Sequence, residues 1–217
     1  MTVMISKHKF FFASAPKVAC TSIKTEMFRV ENGFDFRPFH ANGHYRHIHD
    51  NAIYPAAPFE RFSHLDFSGY LKLTMVRDPV RRFLSAYSNR VGYYRELSAE
   101  ALGDDHLGNG IIPNPSIHEF IDGLSKYRNA SGSIRLHTEP LKVFLGSDPS
   151  FYDQIFNIRK IDQFDKVVSD WIGDSFSTPH LQTGGEKIGV SELSVSELKK
   201  IRKFYEDDYE LFGEYFE

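Results

Sequence analysis

Apolar positions along the chain fall into short unbroken runs and longer stepped ones. Phe10-Phe11-Phe12-Ala13 and the run 71–76 (Leu-Lys-Leu-Thr-Met-Val) are short and largely apolar, and the stretch 153–158 gathers Ile155, Phe156 and Ile158. Each predicts a strand, and 71–76, mostly apolar and short, a buried one. A strand is also expected almost from Met1. Stepped runs predict helices. Ile23, Met27 and Phe28 set one over about 22–30, stopped by Asn32-Gly33. Val80, Phe83, Leu84 and Tyr87 fall at i, i+3, i+4 and i+7 behind Pro79, a residue suited to a first helical turn. Ser116-Ile117-His118-Glu119 and Ser194-Val195-Ser196-Glu197 read as capping boxes. The first opens a helix to about 126, the second a helix through Leu198, Ile201, Phe204 and Tyr205. Phe164, Val167, Val168 and Trp171 mark another, closing near Gly173.

Between these elements the pattern thins. Residues 34–63 show no sustained period and predict loops and short helical pieces. Residues 97–115, with three glycines, two prolines and Asp104-Asp105, read as a surface excursion. Residues 129–133 and 179–187 read as loops. No repeat, low-complexity segment or linker divides the 217 residues, so the expectation is one domain, 1–217. Strands leading into helices imply an α/β domain with a central, mainly parallel sheet flanked by helices.

Composition narrows the choice. Hydrophobic and charged fractions of 41% and 25% are ordinary for a globular chain, and a net charge of −3 gives no bulk basic field for nucleic acid or anionic membrane. Twenty Phe and eleven Tyr are many for this length; most belong in a core, and a few suit a wall that stacks on an adenine or a sugar. The single cysteine, Cys20, excludes an internal disulfide framework and fits a reducing compartment. No apolar run reaches the roughly 20 residues of a membrane span, and a signal-peptide core is not evident, so the expected location is cytoplasmic. His40, His44, His47 and His49 cluster, but without cysteine partners or an H-E-x-x-H helix; a surface or substrate-facing loop is favoured over zinc.

The chemistry concentrates in two strand–turn–helix passages. In the first, Ser14-Ala15-Pro16-Lys17-Val18-Ala19-Cys20-Thr21-Ser22 joins an apolar strand to a helix. A helix N-terminus presents unpartnered N–H groups and the positive end of its dipole to an anion. Thr21 and Ser22 add hydroxyls, and Lys17 adds a full charge. A nucleotide-triphosphate loop needs G-x-x-x-x-G-K-[ST], yet no glycine lies between Phe10 and Gly33. Cys20 at a helix N-terminus beside Lys17 has the setting of a reactive thiol or of a packed loop residue. In the second passage Arg77-Asp78-Pro79 follows the strand 71–76, and Ser85 lies two turns into the helix. Arg77 alone would read as a structural ion pair.

Pro16-Lys17-Val18-Ala19-Cys20-Thr21 resembles the 5′-phosphosulfate loop of the sulfotransferases, specifically the carbohydrate branch that sulfates chondroitin, dermatan and the HNK-1 epitope. Arg77-Asp78-Pro79 with Arg82 to Tyr87 resembles the R-D-P…R-x-x-S-A-Y pattern of that family's 3′-phosphate site. His137, three residues before Pro140, stands where the branch has a histidine, although Leu141 occupies the place of its usual glutamine. The chain's last stretch, from Tyr209 to Gly213, is also similar, whereas residues 33–63 and 92–130 have no counterpart in the resemblance. The resemblance implies a P-loop-like sulfotransferase fold and transfer of a sulfuryl group from 3′-phosphoadenosine 5′-phosphosulfate (PAPS) to an acceptor hydroxyl, leaving adenosine 3′,5′-bisphosphate. It implies donor contacts from Lys17, Val18, Ala19, Cys20, Thr21, Ser22, Arg77 and Ser85, with the loop 179–187 over the nucleotide. Lys17 would stabilise the leaving oxygen, and His137, or else His64, would take the acceptor's proton. No metal is required in this chemistry. The acceptor would be a saccharide or glycolipid, and a bacterial-type chain without the Golgi anchor of eukaryotic relatives fits the cytoplasmic expectation. Two other classes remain open: a P-loop-type kinase, and a non-catalytic nucleotide- or glycan-binding module of the same fold.

Overall fold

The structure, a computed structural model, describes residues 2–50, 53–54, 57–103, 110–181 and 184–216. Asp104-Asp105 and residues 182–183 of the loop 179–187 therefore lie outside the described residues. The chain divides into two compact units: Met1–Arg77, Leu141–Gln182 and Leu211–Glu217 form one, and Asp78–Pro140 with Thr183–Glu210 form the other.

The first unit is built on a four-stranded sheet of order β1-β2-β5-β6, comprising β1 (Thr2–Ile5), β2 (Phe10–Ala13), β5 (Leu71–Val76) and β6 (Gln154–Asn157). β1 is antiparallel to β2, while β2, β5 and β6 run parallel, with Ala13 opposite Thr74 and Val76 opposite Asn157. The sheet is thus mainly parallel, as strands leading into helices imply. Phe10, Phe11 and Phe12 are wholly buried, and alternation along β2 sends neighbouring rings to opposite faces. Phe11 meets Phe67 and Phe151, with ring centres 4.5 and 5.7 Å away. Phe12 meets Phe164 at 5.2 Å, on the helix Ile161–Ile172. The helix α1 (Cys20–Asn32) follows β2 and buries Ile23 and Met27. It starts two residues before the predicted position and stops at Gly33, whose φ of 77° is the left-handed cap the sequence indicates.

Residues 34–63 hold more order than their pattern suggests. β3 (Phe39–Ala41) and β4 (His44–Arg46) form an antiparallel hairpin. Asn42 and Gly43 both have positive φ, 52° and 75°, the backbone of the tight two-residue turn that Asn-Gly favours. A local turn signal thus organised a segment that hydrophobic period could not.

In the second unit, α2 (Pro79–Tyr87) begins at Asp78, whose carboxylate accepts from the Arg81 N–H at 2.9 Å. It runs on into a π-turn at Ser88–Tyr93. Phe83, Phe120, Tyr127, Ile134, Ile201 and Tyr205 form the core. Both predicted capping boxes are complete, at Ser116 with Glu119 and at Ser194 with Glu197. Two predictions need correction. The helix from Ser116 breaks at Gly123, dividing into Ile117–Asp122 and Leu124–Ala130; a Cβ at Gly123 would lie 2.7 Å from the Tyr127 ring. The expected loop 129–133 shrinks to Ser131, which caps the helix Gly132–Thr138. The stretch 97–115 is not wholly superficial either, since Leu97 and Leu102 are buried in this core.

No helix among the described residues is long and apolar enough to cross a membrane.

Candidate functional site

β2 ends at Ala13, and the backbone then turns through residues 14–19 into α1. Lys17 and Ala19 adopt positive φ, 68° and 52°, at a cost of about 1–2 kcal/mol each for residues with a Cβ. A left-handed step of this kind is what aims successive N–H groups into a concavity that accepts anions. Ala19 provides no capping side chain, and the first turn of α1 carries no acidic residue. No side-chain cap and no first-turn acid thus offsets the positive end of the helix dipole there.

The parallel pairing of β2 with β5 sets their carboxyl ends side by side. Arg77, one residue beyond β5, donates from Nη1 to the Lys17 carbonyl at 3.3 Å. The Arg77 guanidinium and the Lys17 backbone, 60 residues apart in the chain, thus belong to one neighbourhood. Val18 is wholly buried and fixes the loop. Thr21 Oγ1 lies 2.8 Å from His49 Nε2, and the Ser22 hydroxyl accepts from the Leu181 N–H at 3.2 Å. Ser22 is buried, so of the two hydroxyls Thr21 is the more accessible. Cys20 is a free but buried thiol, which favours a packing role over a reactive one.

Lys24 was assigned no role from sequence. Its side chain is fully buried, and Nζ donates to the Tyr54 carbonyl at 3.0 Å. Burial lowers its pKa to about 8, against a smaller opposing effect of Cys20. His49 is likewise a residue that sequence reasoning left in an undifferentiated cluster. The nearest signal was the Asn42-Gly43 turn, which folds residues 39–46 into a hairpin just ahead of it. Among the described residues no group of three or more His, Cys, Asp or Glu side chains is placed to hold a metal ion.

The other expected site residues fall on other elements. His64 is exposed in a turn ahead of β5; its near neighbours face the entering half of β2, with Phe67 against Phe11 and the Tyr70 ring 5.6 Å from the Lys9 ammonium. In the second unit Ser85 is half-buried midway along α2. His137 sits in the last turn of the helix Gly132–Thr138, half-buried. Its Nδ1–H donates to the Ser133 carbonyl at 2.8 Å, so the neutral ring carries its basic lone pair on Nε2. From the loop 179–187, Gly185 has a φ of 102° and so approaches Ser88 that a Cβ would lie 2.4 Å from that carbonyl. A cleft of about 870 Å³ opens at the far end of α1, lined by Phe28, Phe34, Phe36 and Phe39 with Arg29 and Arg37. None of residues 17–22 reaches it.

A family model described as "Sulfotransferase family" matches residues 1–142, more than half of the chain. The chain belongs to that family. The matched span of this sulfotransferase contains the loop 14–22, Arg77, Ser85 and His137. No curated protein and no solved structure matches the chain. Membership makes the protein a transferase by family and brings with it the expectation of an acceptor substrate.

Proposed function

We propose that this sulfotransferase moves a sulfuryl group from PAPS to a hydroxyl on a carbohydrate or glycoconjugate, releasing adenosine 3′,5′-bisphosphate. The observation that carries the reading is the hydrogen bond from Arg77 to the Lys17 carbonyl. It joins the loop suited to a 5′ group with the arginine suited to a 3′ group, at the carboxyl ends of adjacent parallel strands. Ligands of open α/β sheets bind at such ends. In this reading the whole chain is one sulfotransferase domain with a P-loop-like donor site, working in the cytoplasm.

The acceptor oxygen attacks sulfur in line, its O–S bond forming as the bond from sulfur to the bridging phosphate oxygen breaks. Negative charge grows on that oxygen, where Lys17 and the N–H groups of the loop from Val18 to Ser22 would meet it. A preorganised donor of this kind contributes about 100- to 1000-fold in rate. Arg77 and Ser85 would hold the 3′-phosphate. The acceptor's proton would pass to His137 Nε2, a nitrogen left basic by the Nδ1 bond to Ser133. The lysine and arginine neutralise the donor in this scheme. Exposed rings at Phe34, Phe39 and Tyr45 suit the faces of a sugar, while a net charge of −3 counts against a long sulfated polymer.

The test is transfer of labelled sulfate from PAPS to a panel of oligosaccharide, glycolipid and simple alcohol acceptors. Transfer to the saccharides supports the proposal. Transfer confined to simple alcohols would overturn the acceptor class. Donor binding with no transfer to any acceptor would favour a binding module.

A further inference from the structure

The hydrogen bond between Thr21 and His49 has two senses with opposite consequences for an anion. Thr21 Oγ1 and His49 Nε2 lie 2.8 Å apart and come from positions 28 residues apart in the chain. Thr21 has a single hydroxyl proton. If Nε2 is bare, Thr21 spends that proton on the ring and turns only lone pairs toward the helix N-terminus. If Nε2 carries hydrogen, the ring donates, and the Thr21 proton is available to an oxygen of the ligand. An anion at the start of α1 and a proton on Nε2 therefore favour one another.

We propose that His49 is a positioning residue: by donating from Nε2 it orients the Thr21 hydroxyl toward the 5′ group of the donor. The inference rests on the donor reading above. His49 is held firmly enough for the task. Arg46 Nη1 donates to both carboxylate oxygens of Asp50, at 3.0 and 2.9 Å, bracketing His49 in sequence. The His49 N–H donates to His47 Nδ1 at 3.1 Å, and the two rings meet nearly edge-on, 5.4 Å between centres. Ile48, between them, is buried. Beyond His49, Tyr54 fastens the same segment to α1 twice, accepting from Lys24 at its carbonyl and donating from its hydroxyl to Glu31 at 2.8 Å. These contacts hold the segment that carries the ring beside Thr21.

A hydrogen bond to a charged group is worth roughly 10- to 100-fold in affinity, so His49→Ala should weaken adenosine 3′,5′-bisphosphate binding by about that factor. His49→Gln presents an amide N–H in place of Nε2–H and should stay within roughly threefold of wild type. Calorimetry on the full chain should also show that His49→Ala costs nothing further in a Thr21→Val background, the signature of action through that hydroxyl. Nitrogen NMR of the bisphosphate complex should find Nε2 of His49 protonated. Additive losses in the double variant, a His49→Gln protein as weak as His49→Ala, or a bare Nε2 in the complex would each overturn the assignment. So would normal affinity with lost turnover in His49→Ala, which would put the ring on the acceptor's proton. A wild type that ignores the bisphosphate would sink the donor reading and this inference with it; binding indifferent to His49 would sink the inference alone.

Discussion

Replacing Lys24 with methionine should erase a rise in stability that the wild type shows above about pH 8. The side chain is fully buried on α1, with its ammonium on the Tyr54 carbonyl at 3.0 Å and the Tyr54 ring 5.9 Å away. Burial in surroundings that solvate charge poorly lowers its pKa from 10.5 to about 8, and Cys20 opposes this to a lesser degree. Below pH 8 the amine is charged in both folded and unfolded chains, and the folded chain bears the whole cost of burying it. Between pH 8 and 10.5 the folded chain has released its proton while the unfolded chain keeps it, so stability rises with pH. At about 1.4 kcal/mol per pH unit, the full gain is about 3 kcal/mol. Methionine removes the charge but also deprives the Tyr54 carbonyl of a donor, a loss of about 1–3 kcal/mol. The two proteins should then differ little near neutrality and diverge as pH rises. Buried tyrosines act in the opposite direction above about pH 10: burial pushes Tyr205 up to about 12, so the folded chain holds a proton there that the unfolded chain loses. Urea unfolding of both proteins between about pH 7 and 10 isolates the lysine. Parallel stability curves would refute a buried lysine that sheds its proton on folding.

Arg77→Ala should mainly weaken binding of the donor, whereas Lys17→Ala should also slow transfer by about 100- to 1000-fold, because its contact strengthens as charge develops. Intact donor affinity with abolished turnover in Arg77→Ala would contradict that division, read by binding and single-turnover assays. His137→Ala should lose about 100- to 10,000-fold in turnover and the acidic limb of the pH–rate profile while binding the bisphosphate normally; Asn and Gln should be nearly as damaging, and near-normal turnover with an unchanged limb would exclude this ring. The Ser194 hydroxyl and N–H, with His118, hold the Glu197 carboxyl down at about 2. The stability it contributes is present above its ordinary 4.5 and fades as pH falls toward 2. Glu197→Gln should therefore melt earlier at neutral pH and show a shallower acid limb; identical melting of the two proteins across that range would contradict the cap.

Local signals with a short physical reach were legible. Phe10-Phe11-Phe12 read as a strand, and the two Ser-x-x-Glu boxes and Gly33 set helix ends close to where they fall. Long-range pairing was not legible. Period and propensity say nothing about which helix face is enclosed on all sides, so Arg82 stood only as a position of the R-x-x-S-A-Y pattern. It is wholly buried, donating to the Glu139 carbonyl at 2.5 Å, 4.0 Å from the Asp208 carboxylate and over the Tyr205 ring. Lys24 escaped for the same reason, as its acceptor is a backbone carbonyl thirty residues away. The hairpin at 39–46 was missed because its strands carry three residues each, too few for alternation to register. At the site, Lys17 and Arg77 could be matched to motifs, but only the parallel register of β2 and β5 makes them neighbours. His49 had no motif at all, and its partner Thr21 lies 28 residues away in the chain.

The most direct test of a donor site with one anion position for each end of the nucleotide is a calorimetric titration of the wild type with adenosine 3′,5′-bisphosphate, AMP and ADP. The bisphosphate should bind at least about tenfold more tightly than either of the others, since only it offers a 3′-phosphate to Arg77, a contact worth that much for a charged hydrogen bond. Equal affinity for AMP would mean that Arg77 receives no 3′-phosphate, and the sulfuryl donor proposed for this sulfotransferase would have to be abandoned.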